Sequence, residues 1–342
     1  MSDLDPSSST DLADDRRGRD DPATLPIDTV ADVGEAIQQN VSRVIVGNES
    51  VVDHVVATLL GGGHVLLEDV PGVGKTMLAR SIARSVDCTF SRIQFTPDLL
   101  PTDVTGVNVF DDRSREFEFQ PGPVFGNVVL GDEINRAPPK TQAALLEAME
   151  EAQVTVDGET RDLPDPFVVI ATQNAVEPTR NYELPLAELD RFAKKLHLGY
   201  PDPDDEVDLL GRTVGDHPIE SLEPVVDRET LVRAREAVGT VTASEPVRSY
   251  ATRLAGYTRE HARIGVSPRG TIALLRLAQA RAALEGRDYV VPDDLQVEVP
   301  VVFPHRIRTT DRERDAEEIV SEALEQVPVD DPTEADDDRS RR

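Results

Sequence analysis

Two patterns of apolar and polar residues divide the chain near residue 200. Before it, short apolar runs end in glycine, proline or acidic residues, which is typical of buried strands in an α/β fold. Beyond the segment 199–203, Gly-Tyr-Pro-Asp-Pro, apolar residues recur at helical spacing. The helices predicted there run from Glu206 to Val214, Arg228 to Val238, Val247 to Ala262, Thr271 to Leu284 and Arg312 to Leu324. The pattern therefore predicts an α/β region over residues 27–200 and a helical region over residues 201–326.

The apolar run at residues 64–68 leads into a loop that is typical of phosphate binding. Residues 69–76 read DVPGVGKT and differ from the generic Gly-x4-Gly-Lys-Thr pattern at Asp69, which stands where the first glycine is expected. Backbone N–H groups of such a loop surround phosphates, the Lys75 ammonium reaches the β- and γ-phosphates, and the Thr76 hydroxyl binds Mg²⁺. The sequence therefore predicts that the chain binds ATP and Mg²⁺. The residues predicted to contact the nucleotide here are Pro71, Gly72, Val73, Gly74, Lys75, Thr76 and Met77.

Two further apolar runs end in residues that suit nucleotide hydrolysis. Residues 128–131 lead to Asp132 and Glu133. At the end of a strand, Asp132 would lie beside the Mg²⁺, often through a water molecule, and Glu133 can orient and deprotonate the attacking water. The run at residues 167–172 precedes Asn174, whose amide can hold this water or the γ-phosphate. We therefore expect hydrolysis as well as binding.

The charge of the chain is strongly negative. Its 342 residues include 65 acidic and 36 basic ones, and the net charge is −29. The acidic residues are spread along the whole chain, and few of the basic residues are lysine, which favours adaptation to a salty cytoplasm such as that of a halophilic archaeon. The alternative is an acidic protein that binds basic partners. On the first interpretation the charge says little about function.

Several other classes of protein are disfavoured by composition. No apolar run approaches the ~18 residues of a membrane span, and the N-terminus is unlike a secretory signal, so we expect a cytoplasmic protein. The six histidines show no metal-ligand spacing. Aromatic residues make up only 4% of the chain, so stacking platforms for nucleic-acid bases are scarce.

The motifs occur in the order of an AAA+ ATPase. After the phosphate loop and Asp132-Glu133 come Asn174, the Leu-Asp-Arg-Phe of residues 189–192 and the Ser-Pro-Arg of residues 267–269. Residues 132–151, DEINRAPPKTQAALLEAMEE, are similar to the signature of the MoxR family. The chain thus resembles MoxR proteins over residues 27–326. This resemblance implies a parallel five-stranded sheet flanked by helices and a C-terminal helical lid.

The resemblance also implies roles for two arginines. Arg191 would be the arginine finger that reaches the γ-phosphate of a neighbouring subunit. Arg269 would be the second sensor, which the lid supplies to the nucleotide of its own subunit. The family further implies a homo-oligomer, a hexameric ring, in which ATP hydrolysis drives a chaperone that remodels or matures partner protein complexes.

The resemblance leaves the client open. MoxR proteins commonly act with partners that carry a von Willebrand factor A domain, so a separate protein of this kind is expected, whereas nucleic acid is not. There are two alternatives. One is a motor subunit of the magnesium-chelatase type, and the other is a nucleotide-gated scaffold that hydrolyses little ATP.

Two hairpins are predicted within the α/β region. In the first, strand-like arms at residues 107–110 and 116–119 are joined by a turn of mostly acidic and basic residues. The segment 96–126 that contains it resembles the helix-2 insert shared by MoxR proteins and magnesium-chelatase ATPase subunits. The resemblance implies an element of the ring face or pore, and an ordinary surface hairpin is the alternative. The second hairpin turns at Asp157-Gly158, which suits a type I′ turn.

These patterns predict four parts of the chain. They are a disordered acidic segment at residues 1–26, a nucleotide-binding domain at 27–200 with its insert at 96–126, a helical lid domain at 201–326, and a disordered acidic tail at 327–342.

Overall fold

The computed structural model describes residues 24–173, 182–213, 218–309 and 314–330. Most of both predicted disordered segments, and Asn174, lie outside these residues. The helices are α1 Ile27–Ser42, α2 Glu49–Leu60, α3 Lys75–Ser85, α4 Pro101–Thr105, α5 Pro139–Glu151, α6 Leu186–Leu189, α7 Pro203–Thr213, α8 Arg228–Val238, α9 Glu245–His261, α10 Pro268–Leu284, α11 Pro292–Val302 and α12 Ala316–Gln326. The strands are β1 Val65–Glu68, β2 Phe90–Gln94, β3 Gly106–Asp111, β4 Glu116–Pro121, β5 Val128–Asp132, β6 Gln153–Val156, β7 Glu159–Asp162, β8 Val168–Gln173 and β9 Lys194–Leu196.

Five strands form one parallel sheet in the order β2-β5-β8-β1-β9. Because the strands are parallel, their last residues, such as Glu68 and Asp132, lie along one edge, which we call the carboxyl edge. Their first residues, such as Val65 and Lys194, lie along the opposite, amino edge. The four residues of β1 separate the two edges by about 13 Å.

Both faces of the sheet are buried, as the apolar runs predict. In β5, Val128 and Leu130 join one hydrophobic cluster, and Val129 between them joins another. The first cluster includes apolar residues of α1, α2, α3 and the C-terminal helices, and the second includes those of α5. Since successive side chains of a strand point to opposite faces, a continuous apolar run fits a sheet covered on both sides. The predicted fold class, a parallel five-stranded sheet flanked by helices and followed by a helical lid, is confirmed.

Within the described residues, only helices follow β9 along the chain. Helix α8 has its predicted bounds, and α7, α9, α10 and α12 begin and end within a few residues of theirs, although Val214 and Arg312 lie outside the described residues. Helix α11 was not predicted. Its sequence is rich in valine and contains Pro300, so its apolar pattern is not typical of a helix. Along the chain that the structure describes, no helix combines the length and apolar character needed to cross a membrane.

Both predicted hairpins are present. In the first, β3 pairs with β4 in antiparallel fashion, and Phe110 lies opposite Phe117. In the second, β6 pairs with β7, and both turn residues have positive φ, 52° at Asp157 and 85° at Gly158. Positive φ at both central residues is the mark of a type I′ turn.

Candidate functional site

A cleft of about 360 Å³ lies at the carboxyl edge, between the phosphate loop and the ends of β5 and β8. Two loop glycines, Gly72 and Gly74, have φ values of 89° and 97°, which side-chain-bearing residues rarely adopt. A Cβ atom built on either would meet nothing within 4 Å, so the space in front of the loop is open. Helix α3 begins at Lys75, so its N-terminal N–H groups and positive dipole end face this space.

The cleft gathers most of the residues predicted to bind nucleotide. All of them line it except Val73, which packs against the hydrophobic core. Glu133 lines it as well. Three lining residues were not predicted, namely Arg92, Thr172 and Gln173.

Lys75 is held by backbone oxygens of its own loop. Its Nζ donates to the carbonyl oxygen of Val70 at 2.8 Å and to that of Asp69 at 3.2 Å. Burial lowers the pKa of Lys75, while the negative charges of Asp69, Asp132 and Glu133 oppose this shift. The ammonium therefore lies among carboxylates at a position where an anionic phosphate would add a strong partner.

Asp69 has a structural reason to replace the glycine of the generic motif. It is not among the positive-φ residues, so its backbone does not need glycine. Its side chain is buried, and its Oδ1 accepts the N–H of Val70 at 2.9 Å. Its Oδ2 accepts the N–H groups of Leu198 at 2.6 Å and Gly199 at 2.8 Å, just after β9. The carboxylate thus fastens the start of the loop to the neighbouring strand.

Thr172 orients the two acidic residues at the end of β5. Its hydroxyl donates to Asp132 Oδ1 at 2.7 Å and accepts the N–H of Glu133 at 2.8 Å. The second oxygen, Asp132 Oδ2, pairs with Arg92 at 2.5 Å. Arg92 lies in the middle of β2, and no local pattern in the sequence marks it as a residue of the site.

The oxygen atoms in the cleft suit Mg²⁺. Among the described residues, no group of three or more His, Cys, Asp or Glu side chains could hold a metal ion by itself. Asp132 and Thr76 line the cleft together and offer a carboxylate and a hydroxyl. Mg²⁺ in nucleotide sites is held in this way, by one or two protein oxygens together with phosphate oxygens and water.

Glu133 has a backbone conformation that is uncommon outside glycine. Its φ of 58° and ψ of 47° lie in the left-handed region, which carries a cost of about 1 kcal/mol or more. Its Oε2 accepts hydrogen bonds from Gln94 at 2.8 Å and from Arg136 at 2.9 Å. Strained backbone that the surroundings enforce is concentrated at functional sites.

The two predicted arginines lie together, on one carboxylate. Arg191 Nη2 is 3.1 Å from Glu150 Oε2, and Arg269 Nη2 is 3.0 Å from Glu150 Oε1. Their backbones are also tied, because the Ser267 hydroxyl donates to Asp190 Oδ2 at 2.9 Å. Glu150 was not predicted to matter, and it stands within the signature segment 132–151.

This pair lies at the amino edge, on the far side of the sheet from the cleft. Arg191 comes shortly before β9, and Glu150 lies at the end of α5. Its neighbour Met149 contacts His64, the residue before β1, through a 3.0 Å hydrogen bond. Arg269 therefore lies away from the cleft of its own subunit, for which the resemblance implies its role as second sensor. The sequence could not reveal this, because the position of Arg269 depends on how the helical region packs on the sheet.

Comparison with known proteins gives consistent matches along the chain. Residues 64–194 match the "ATPase family associated with various cellular activities (AAA)", and residues 254–326 match the "AAA lid domain". The chain is 50% identical to the uncharacterized protein YeaC of Bacillus subtilis, over 87% of this chain and 94% of that one. It is 40% identical to the chaperone MoxR1 of Mycobacterium tuberculosis, over 79% of this chain and 74% of that one.

Two more distant matches extend this result. The protein MoxR of Methylorubrum extorquens is 31% identical, over 81% of this chain and 88% of its own length. A crystal structure of a protein from Cytophaga hutchinsonii superimposes with a TM-score of 0.82 at 35% identity and covers 88% of this chain and 96% of that one.

Proposed function

Because the chain belongs to the MoxR family of AAA ATPases, we propose that it binds ATP with Mg²⁺ in the cleft and hydrolyses it to ADP and phosphate. One observation carries this proposal. The ammonium of Lys75, the hydroxyl of Thr76 and the carboxylates of Asp132 and Glu133 converge on one open space in front of a glycine loop.

Each of these groups has a distinct task in the proposal. Lys75 binds the β- and γ-phosphates, and Thr76 and Asp132 hold the Mg²⁺, which neutralises charge on the phosphates. Glu133 accepts a proton from the water that attacks the γ-phosphorus. Its contacts with Gln94 and Arg136 support this role because they hold the carboxylate at the side of the cleft. Asn174, the proposed further contact of this water, lies outside the described residues.

We propose that the arginine pair completes the cleft of another subunit. A single subunit has its phosphate loop at the carboxyl edge and both arginines at the amino edge, so its own guanidinium groups are too far from its own phosphates. In a homo-oligomer, Arg191 and Arg269 of one copy can face the γ-phosphate held by the next and stabilise the charge of the transition state. The family resemblance supports a hexameric ring.

Work on a client protein is the proposed use of this hydrolysis. The hairpin β3–β4 carries exposed rings at its end: Phe110 is 49% and Phe117 72% exposed. None of its residues lines the cleft, so it is free to contact a partner protein. A partner with a von Willebrand factor A domain is the proposed client. A magnesium-chelatase-type motor subunit and a low-turnover scaffold remain the alternatives.

The proposed surroundings are a cytoplasm of high salt concentration. ATP, the proposed substrate, is a cytoplasmic metabolite. The net charge of −29 supports the high salt, because molar salt shortens the range of charge repulsion to ~3 Å.

The decisive experiment compares turnover with binding. Glu133→Gln keeps the shape of the side chain and removes the base, so ATP should bind with unchanged affinity while turnover falls by on the order of 10²-fold. Lys75→Ala should lose binding. Glu151→Gln, on the exposed end of α5, serves as the control and should change neither. Wild-type turnover in Glu133→Gln would contradict the proposal, and wild-type turnover as slow as that of Glu133→Gln would favour the scaffold.

A further inference from the structure

One carboxylate links two arginines that come from distant parts of the chain. Arg191 precedes β9, Arg269 stands in the first turn of α10, and Glu150 ends α5. Each oxygen of Glu150 takes one guanidinium, at 3.1 Å and 3.0 Å. Among the described residues, neither arginine forms an ion pair with any other carboxylate.

Glu150 removes an electrostatic conflict between these two cations. Two guanidinium groups on one carboxylate lie close to each other and repel, and the negative charge between them offsets this repulsion. It also restricts two long side chains that would otherwise sample many rotamers. A guanidinium has five N–H donors, so each arginine keeps donors free for a phosphate after it binds Glu150.

The backbone around the pair is fixed separately from the side chains. Asp190 accepts a hydrogen bond from Ser267 at one oxygen and from Arg306 Nε, at 2.7 Å, at the other. Arg306 is almost fully buried, which makes this junction between β9 and α10 rigid. Glu150 is thus not needed to bring the two backbones together, and its contribution is confined to the directions of the guanidinium groups.

We infer that Glu150 is a positioning residue, which holds the guanidinium groups of Arg191 and Arg269 as one preformed pair for the γ-phosphate bound by a neighbouring subunit. This inference rests on the proposed function. Preformed donors save the cost of ordering two side chains at the moment of reaction.

The expected effect of Glu150→Gln follows from this role. Gln keeps the size of the side chain and removes the charge, so the arginines separate. Turnover per subunit should fall by on the order of 10-fold, while the affinity for ATP stays unchanged because the phosphate loop lies at the other edge. Glu150→Asp keeps the charge on a shorter side chain and should recover part of the lost turnover. Glu147→Gln, on an exposed position of the same helix without an ion pair among the described residues, is the matched control.

A mixing experiment separates positioning from a general effect on folding. Glu150→Gln subunits have an intact cleft and a faulty arginine pair, whereas Lys75→Ala subunits have the reverse. Mixed oligomers should therefore regain turnover at interfaces where the cleft of the first faces the arginines of the second. In addition, Glu150→Gln combined with both Arg191→Ala and Arg269→Ala should be no slower than the two arginine changes alone, because no guanidinium group is then left for Glu150 to position.

The outcomes distinguish this inference from the proposed function. Turnover of Glu150→Gln equal to or above that of the wild type overturns the inference, since the carboxylate would then compete with the phosphate. If Lys75→Ala subunits restore the turnover of Arg191→Ala but not that of Glu150→Gln, the inference fails, while the proposed site between two subunits stands. If Lys75→Ala restores neither variant, both the inference about Glu150 and the proposed site between subunits fail.

Discussion

The Asp69 carboxylate accepts the backbone N–H of Gly199 at 2.8 Å, and this contact ties the first residue of the phosphate loop to the end of β9. The same strand is preceded by Arg191 and followed by the helical region. The phosphate loop and the arginine pair are therefore linked to the same strand, β9, at its opposite ends.

The first prediction concerns this contact. Asp69→Gly restores the generic phosphate-loop motif, yet it removes the acceptor of three backbone N–H groups, of Val70, Leu198 and Gly199. We expect it to lower the free energy of unfolding by about 1–3 kcal/mol and to weaken ATP binding, because Lys75 is held by the carbonyl oxygens of this segment. Urea unfolding and ATP titration measure the two effects.

Asp69→Asn is the matched variant. One amide oxygen cannot replace two carboxylate oxygens, so its effect should lie between those of the wild type and Asp69→Gly. Tighter ATP binding by Asp69→Gly would show that glycine is preferred here and that the contact with β9 is incidental.

The second prediction concerns the subunit that the arginines serve. Arg191→Ala and Arg269→Ala should each bind ATP normally and hydrolyse it more slowly than the wild type. For Arg191→Ala we expect turnover to fall by about 10³-fold. Addition of Lys75→Ala subunits should restore turnover to both. Turnover per subunit of the wild type should also rise with protein concentration. Restoration of Arg191→Ala alone would mean that Arg269 acts on another group.

The third prediction concerns acid. His64 is buried, accepts the N–H of Val169 through Nδ1, and donates Nε2–H to the carbonyl oxygen of Met149. Burial lowers the pKa of His64 from 6.5 to about 4. Between these two pH values the unfolded chain binds a proton that the folded chain does not. Stability should therefore decrease as the pH falls through this window, by at most about 3 kcal/mol from this residue.

Urea midpoints measured from pH 7 to pH 4 check this effect. His64→Gln should flatten the decrease, although it lowers stability at pH 7. His197→Gln, which changes an exposed histidine, should leave the wild-type slope unchanged. An equal slope in His64→Gln and the wild type would assign the acid sensitivity to other groups, such as His305, whose pKa is also lowered by burial.

The fourth prediction concerns a buried ion pair between the sheet and the helical region. Lys194 of β9 and Glu298 of α11 are both fully buried, with Nζ and Oε2 2.7 Å apart, and Arg281 contacts the other oxygen at 2.9 Å. Burial alone would raise the pKa of Glu298, but the charges of Lys194 and Arg281 lower it to about 2.

Glu298→Gln should therefore be the more damaging of two single changes. It leaves two cations facing a neutral amide, which costs about 3–5 kcal/mol. Lys194→Met leaves Glu298 paired with Arg281 and should cost less. Urea unfolding at fixed salt compares them, and a larger loss in Lys194→Met would mean that Lys194 is the centre of the cluster.

The fifth prediction concerns salt. With a net charge of −29, the fold and the oligomer should be loosened by repulsion in dilute buffer. The melting temperature and the ATPase rate should both rise as KCl increases from about 0.1 M to about 1 M, because the screening length falls from ~10 Å to ~3 Å. Sucrose at matched osmolality controls for effects other than screening. Equal stability at low salt would indicate that the acidity serves a partner instead.

The sequence was most informative where a function depends on a few consecutive residues. The phosphate loop, the acidic pair of Asp132 and Glu133 and the turn at Asp157 carry their geometry in local residue types. The continuous apolar runs were likewise enough to predict buried strands of an α/β fold.

The other features of the fold and the site depend on long-range packing, so the sequence did not predict them. The side of the sheet on which Arg269 lies is set by contacts between distant helices and the sheet, which no local pattern encodes. Arg92 and Thr172 look like ordinary strand residues until β2, β5 and β8 are placed side by side. Helix α11 packs one side, with Leu295, Val299 and Val302, against β9 and neighbouring helices, and this tertiary packing outweighs its local propensity.

The separation of cleft and arginine pair makes each subunit directional. In the oligomer that we propose, copies that join head to tail would complete one catalytic centre at each junction. An open chain of such copies always ends with one cleft that lacks arginines and one arginine pair that lacks a cleft, and only closure removes both defects. Closure of the proposed ring would therefore add a catalytic centre without adding a subunit, so a client that opens this ring or stabilises its closed form would change the rate at a single seam.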